Sequence, residues 1–425
     1  MCECNGSNFS DHDIFSNDGT CVSFISINSG DKEICCSLTK FLELEGRMII
    51  CVIGITFNTI AIILLFDRKL SKEIFNRLLI SLVFMDNAYL LIGILEVWVN
   101  AMEKPTFDVL WLYFYFIRSI RGMIMCSIIY TTVILAYQRY MYVTRPLNSG
   151  IRNQQHVGAT WQQVSKYIGP VILLSFVFEL PVVFEVATKR YSELDLNIHV
   201  NTTFIVLSEK IENNGANDIV TKLIVSELRS NDIYVLFYMN IANMVVTGII
   251  PVLVLGFFNF FVIRGMWKFQ GKRSLRRQES LHRDENKESQ EDKELKNQRN
   301  QTIILLSIVI IFLVCHSLRI ILNFHDLVTH KNMFQSSEND CRHGHPYWVN
   351  IAHPISETFL KLNSVANFFI YCTFNNRFRK VAKKKFSKVV SICGCGKCKA
   401  TSYNAPCPRS RASQDPKDSN TRETE

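Results

Sequence analysis

A carboxylate stands in the middle of an apolar run at Asp86, an arginine closes another at Arg139, and a third run carries Asn363, Ser364 and Asn367 within about one helical turn. Ionisable and amide groups are costly in hydrocarbon, so inside an apolar segment they mark function or packing. Asp86 has no adjacent cation and therefore needs hydrogen-bond donors, a proton or a metal cation. Asn363, Ser364 and Asn367 could supply the donors, and Asn58, in a further apolar run, belongs to the same polar set. The set reads equally as a sodium-responsive polar hub or as a satisfied buried network. Arg118 and Arg121 are three apart and share a helix face. Glu96, Glu179 and Glu357 are their candidate internal partners, and Lys361 stands one turn from Glu357.

These residues need helices that cross a bilayer. A hydrocarbon core about 30 Å thick takes about 20 apolar residues of helix. Lipid offers no partner to the backbone, so each span must satisfy itself. Seven such stretches lie near 48–66, 77–98, 109–137, 164–186, 233–263, 302–324 and 347–373, with ends uncertain by several residues. The expected fold is an all-α membrane protein, a seven-transmembrane helix bundle. Three parts follow: an extracellular N-terminal segment (1–47), the bundle (48–374) and a cytoplasmic tail (375–425). In the tail Phe378, Val381, Ala382 and Phe386 share one helical face against cations on the other, the pattern of a short amphipathic membrane-surface helix after span 7. Residues 187–232 read as a long polar outer loop, 270–300 as a solvated or helical charged extension, and 400–425 as disordered.

The 425 residues are 48% apolar with 30 Phe, which suits lipid-facing helices. The net charge of +9 does not imply nucleic acid, because it is placed asymmetrically. Residues 1–47 carry eight acids against Lys32, Lys40 and Arg47, while most Lys and Arg lie between spans 1–2, 3–4 and 5–6 and in the tail. Short basic loops stay inside, so the N-terminus is expected outside, at the plasma membrane, with span 1 as an uncleaved signal. Asn5, Asn8 and Asn201 head glycan acceptor sequences on that outer face, whereas Asn300 lies at the inner one. Cys2, Cys4, Cys21, Cys35, Cys36 and Cys341 fall outside and are free to form disulfides. Cys393, Cys395 and Cys398 follow the surface helix, where S-acylation is favoured over a metal site. No resident metal or cofactor is expected.

Asn58, Leu79-Ile-Ser-Leu-Val-Phe-Met-Asp86, Gln138-Arg-Tyr140 before Pro146-Leu147, Pro251, Phe312-x-x-Cys315-His316 and Asn363-Ser-x-x-Asn367-Phe-x-x-Tyr371 resemble rhodopsin-like G-protein-coupled receptors in order and spacing. Phe178-Glu-Leu-Pro-Val-Val-Phe-Glu185, Leu228-Arg-Ser-Asn-x-x-Tyr234 and Cys315-His-Ser-Leu-Arg319 are similar to invertebrate FMRFamide, myosuppressin and sex-peptide type neuropeptide receptors. The resemblance implies a receptor rather than an enzyme. It implies an extracellular peptide ligand, a heterotrimeric G protein, and arrestin, receptor kinase and membrane lipids as further partners. It places ligand contacts at Arg118, Arg121, Glu96, His316, Asp326 and Glu357. Activation and coupling fall to Gln138, Arg139, Tyr140, Asn259, Asn367 and Tyr371. A peptide ending in Arg-Phe-amide needs an anion, for which Glu96, Asp326 and Glu357 are candidates, and an aromatic pocket. The alternatives are a seven-span channel or transporter, and an opsin using Lys361.

The departures are specific. The family's disulfide from the outer end of span 3 to the second outer loop has no cysteines here, since 105–125 and 187–232 contain none. Gln138 replaces the usual acid before Arg139, and Gln298 stands near the level of the acid used elsewhere on span 6. His316-Ser-Leu318 and Phe368 occupy positions where most members have Trp and Pro, and Pro. Lys361 stands at the opsin lysine offset, but the missing disulfide and the nearby arginines disfavour a Schiff base. Glycosidase treatment of the full-length protein is expected to shift its mobility, and replacing Asn5, Asn8 and Asn201 with Gln should abolish the shift. An unshifted wild-type band would overturn the outside placement of the N-terminus.

Overall fold

The computed structural model describes residues 37–68, 70–102, 105–144, 160–192, 206–213, 218–279, 285–333 and 347–398. Asn5, Asn8 and Asn201 lie outside them, as do the side chains of Cys393, Cys395 and Cys398. Six described helical stretches are long and apolar enough to cross a membrane: α1 (Ser37–Leu65), α2 (Ile74–Asn100), α3 (Phe107–Thr144), α4 (Trp161–Val183), α5 (Asp232–Trp267) and the Arg299–Thr329 part of α6 (Glu285–Met333). The next helix, α7 (Tyr347–Phe374), has 28 residues, length enough to span. Its composition is more polar because its side chains face other helices. Ser356 and Lys361 have no exposed surface, and Ser364 and Asn367 are buried. It packs against α1, α2 and α6. Lipid-facing positions elsewhere are apolar and open, as at Leu174, Leu253 and Ile310.

The helix ends have local causes. Span 4 begins at Trp161 because Thr160 and Gln163 form a capping box, the Thr160 side chain accepting from Gln163 N and Gln163 Oε1 accepting from Thr160 N. Asn76 Nδ2 donates to Leu70 O at 2.9 Å and Arg77 Nε to Ser71 O, which fix the turn before α2. In α5 the backbone winds as a wide π-helix over Val235–Ala242 and Met244–Ile249 ahead of Pro251. Tyr130 of α3 donates to Val246 O at 2.8 Å within that wide segment.

The outer segment after α4 is not all loop. It folds as a three-stranded antiparallel sheet of β1 (Val186–Ser192), β2 (Val206–Asn213) and β3 (Asp218–Val225), in the order β1-β3-β2. β1 pairs with β3 from Val186 opposite Val225 to Ser192 opposite Ile219. Val186, Val220, Leu223 and Ile224 are buried, which supplies the apolar face that an isolated hairpin lacks.

Residues up to Arg379 belong to one compact unit, and those from Lys380 to a second. Helix α8 (Asn376–Cys398) starts on a cap in which Asn375 Oδ1 accepts from Arg377 N and Phe378 N, each at 3.1 Å. Phe378 is buried beside Tyr371 and Phe368.

Gly93 of α2 allows that helix to approach α1 and α7. A Cβ at Gly93 would lie 2.8 Å from Lys361 Cε and 3.0 Å from Cys51 Sγ, while Gly169 of α4 has nothing within 4 Å. Gly93→Ala should therefore destabilise the purified protein by about 1–3 kcal/mol through overpacking, and Gly169→Ala should be neutral or stabilising by up to about 1 kcal/mol. Thermal unfolding in detergent measures both; equal midpoints for the two variants would contradict the packing.

Candidate functional site

The outer half of the bundle is built around paired charges. Arg121 of α3 contacts Glu96 of α2 at 2.9 Å and Glu357 of α7 at 3.3 Å. Arg319 of α6 contacts Glu357 at 2.7 Å. Lys361 lies 3.7 Å from both carboxylates, one turn from Glu357 on α7, and its ammonium is 5.2 Å over the Tyr89 ring. Four helices are thus joined by one network, and the internal pairing of Arg121 is met by Glu96 and Glu357. Lys361 has no exposed surface and two carboxylates to answer its charge.

A second cluster ties α3 to the outer sheet. Arg118 contacts Glu185 at 2.8 Å, and Arg229 reaches the same carboxylate at 3.4 Å. Tyr234 donates to Glu185 at 3.0 Å, and Tyr115 donates to Val186 O at 3.0 Å. Ser226 N donates to Glu185 O at 3.0 Å, which carries β3's end to the same place. This junction lies at the outer end of span 3, where 105–125 and 187–232 hold no cysteine.

Asp326 stands apart from both clusters, 3.4 Å from His325 and 3.9 Å from His353. His316 is buried, stacks on Phe312 at 4.0 Å between ring centres, and belongs to neither cluster. With Tyr89, Asn363 and Ser364 it lines a cavity of about 10 Å³, the room of roughly one water.

Below that cavity lies the polar hub. Asp86 is fully buried and accepts from Asn367 Nδ2 at 2.7 Å. Asn58 Nδ2 donates to Ser364 O at 3.2 Å, and Asn363 is buried alongside. Glu357, Lys361, Ser364, Asn367 and Tyr371 are spaced 4, 3, 3 and 4 apart, one face of α7, so a single stripe links the outer network to the inner end. That stripe is about 21 Å long at 1.5 Å per residue. Phe368 stacks on Phe57 of α1 at 4.9 Å.

At the inner end Arg139 is buried and its Cζ sits 3.9 Å over the Phe75 ring. It donates to Gln301 Oε1; Gln301 Nε2 donates in turn to Glu73, whose other oxygen accepts from Arg377 at 2.6 Å. Gln298 was read only as standing near the level of the acid used elsewhere on span 6, and its side chain lies outside the described ones. Gln301, buried at the inner end of α6, is the residue that meets Arg139. Tyr140 packs on Phe258 and Phe261 of α5. Asn259 is buried but bonds within its own helix, to Leu255 O at 2.7 Å. Gln138 is partly buried and Tyr371 fully so.

Sequence reasoning singled out neither Arg229, Glu73 nor Gln301 as site residues, and named Glu185 and Arg319 only within motifs. Glu73 carried a weak signal, an acid just before a helix start. Glu185 and Arg229 stood in two separate motifs, and nothing in the sequence pointed to their pairing, since they are 44 residues apart.

Residues 57–371 match the family described as 7 transmembrane receptor (rhodopsin family). The chain is also similar to the FMRFamide receptor of Drosophila melanogaster, 24% identical over 344 residues, which cover 78% of this chain and 51% of that one. The chain thus spans about half the length of this relative.

Glu357 answers three cations, so Glu357→Gln leaves buried positive charge uncompensated and should cost about 3–5 kcal/mol of stability. Glu357→Gln with Arg319→Gln should recover part of the loss, because each substitution removes what the other leaves unmatched. Thermal unfolding of purified protein checks both; additive losses would show that the two residues do not act as a pair.

Proposed function

Because the chain belongs to the rhodopsin family of seven-transmembrane receptors, we propose that it responds to an extracellular neuropeptide and activates a heterotrimeric G protein from its inner face. The observation that carries this reading is the buried polar stripe of α7. It runs from Glu357 in the outer charge network through Ser364 and Asn367 at the hub to Tyr371, which packs beside Phe378 at the start of α8. A bundle with two polar ends joined by such a stripe suits a two-state receptor, in which an outer ligand shifts the equilibrium by its differential affinity. The similarity to a receptor named for FMRFamide supports a peptide over a small-molecule ligand.

The parts then have roles. Arg118, Arg121, Glu96, His316, Asp326 and Glu357 form or border the outer site. Asp86, Asn58, Asn363, Ser364 and Asn367 carry its state across the membrane. Gln138, Arg139, Tyr140, Asn259 and Tyr371 rearrange at the inner face. The Arg139–Gln301–Glu73 chain is a restraint of the resting state, since it occupies the arginine and buries it. Lys361, flanked by two carboxylates and by Arg121 across them, serves charge balance rather than a Schiff base.

The full-length receptor in cells, read by calcium or cAMP against a neuropeptide library with Arg139→Ala as control, tests the proposal. Signals that persist unchanged in Arg139→Ala would sink the coupling role. Basal output gives a second test. Gln138 carries no charge, so Gln138→Glu would place an anion beside Arg139 and should strengthen the hold on it by roughly 1 kcal/mol, about fivefold in the resting equilibrium. Ligand-independent signalling should fall accordingly at equal surface expression, and an unchanged or higher basal output would reject this restraint.

A further inference from the structure

The outer charges do not balance, and the imbalance has a direction. Among the described residues the two clusters bring together Arg118, Arg121, Arg229, Arg319 and Lys361 with the carboxylates of Glu96, Glu185 and Glu357. The carboxyl group of Glu179 lies against Gly122, the residue after Arg121, and is a fourth acid at this end. Arg47 of α1, buried and close enough to act on Glu357 and Lys361, adds a sixth cation.

The open groups are four arginines, while Lys361 and Arg47 are buried like Glu96 and Glu185. The side chains of Arg118, Arg121, Arg229 and Arg319 keep 26, 27, 35 and 24% of their surface open, whereas Glu96 and Glu185 keep 3 and 2%. Glu357 keeps 16% and already answers three cations. An arriving cation would have to displace Arg121 or Lys361 to reach Glu96, and would pass open guanidinium groups to do so. An arriving carboxylate meets those groups directly, with donors in the planar fork that fits it. Beside Arg229 and Glu185, Tyr234 and Tyr238 stack at 5.0 Å, and Phe178 lies 5.6 Å from Tyr238, an aromatic wall next to the cations.

We infer that the outer site anchors its ligand by an anion: it takes a peptide carboxylate placed next to an aromatic residue, and Glu96 and Glu357 serve as internal counter-charges instead of cation receptors. The inference rests on reading this end as the ligand site. It differs from a basic Arg-Phe-amide anchor in sign, and so can be tested apart from signalling.

Purified full-length receptor in detergent, at fixed ionic strength, is unfolded thermally with four capped dipeptides. N-acetyl-Glu-Phe-amide offers a side-chain carboxylate and N-acetyl-Gln-Phe a free terminal one; N-acetyl-Gln-Phe-amide is neutral and N-acetyl-Arg-Phe-amide cationic. Stabilisation by bound ligand raises the midpoint with concentration. One or both acidic probes should raise it by a few degrees, and which of them does so identifies the source of the carboxylate. The neutral and cationic probes should shift it less than half as far. Arg319→Gln should remove the shift and Arg319→Lys, which keeps the charge and the Glu357 partner, should retain part of it. A larger shift with N-acetyl-Arg-Phe-amide, an equal shift with all four, or no shift with any of them would overturn the inference. A clear acidic preference in a receptor that fails to signal to any G protein would keep this inference and reject the coupling proposed above.

Discussion

A charge within a low-dielectric bundle has to be answered by another, and here the answer is given by Arg121 with Glu96 and Glu357. Coulomb attraction at about 3 Å is strong where water is scarce, and the cost of leaving one partner alone is stronger still. That constraint fixes the rotation of four helices at once. α2 must turn Glu96 inward, α3 Arg121, α6 Arg319 and α7 Glu357, and each rotation settles what the same helix presents a few turns deeper. Asp86 lies ten residues before Glu96 and Asn367 ten after Glu357, so the pairing outside brings the hub's two halves together inside.

Much of this was legible in the sequence because bilayer crossing leaves a strong imprint. Apolar runs of span length and the 4-3-3-4 spacing of polar residues on α7 both follow from helix geometry and lipid exclusion. The hub of Asp86, Asn58, Ser364 and Asn367 follows from the same cost of burial. What stayed hidden depends on contacts far apart in the chain. The outer sheet was obscured because only β3, with Ile219, Val220, Ile224 and Val225, has a β-branched run, while β1 is dense in charge. Gln301 was not singled out, since a stretch of Lys, Glu, Gln and Asn has no apolar face from which to read the helix phase. The capping box at Thr160 and Gln163 was readable and would have moved the start of span 4 to its place.

The inner end shows how a neutral residue can stand in a charged link. Gln301 donates through its amide nitrogen and accepts through its oxygen, so it passes the attraction between Arg139 and Glu73 across its own side chain. Glu73 also accepts from Asn76 at 3.3 Å and from Arg377 at 2.6 Å, which draws the turn before α2 and the start of α8 into the same knot. The link is weaker than a direct ion pair and more directional, since an amide needs both ends aligned.

The outer sheet is fastened to α3 by Arg118 on Glu185 and by Tyr115 on Val186. A covalent staple at this junction would hold for the lifetime of the molecule and ask nothing of its surroundings. A clasp of one ion pair and one phenol hydrogen bond is non-covalent and so reversible. Its grip slackens as ionic strength rises. The hold of the sheet on α3 therefore depends on the ionic strength around it, as a covalent staple's would not.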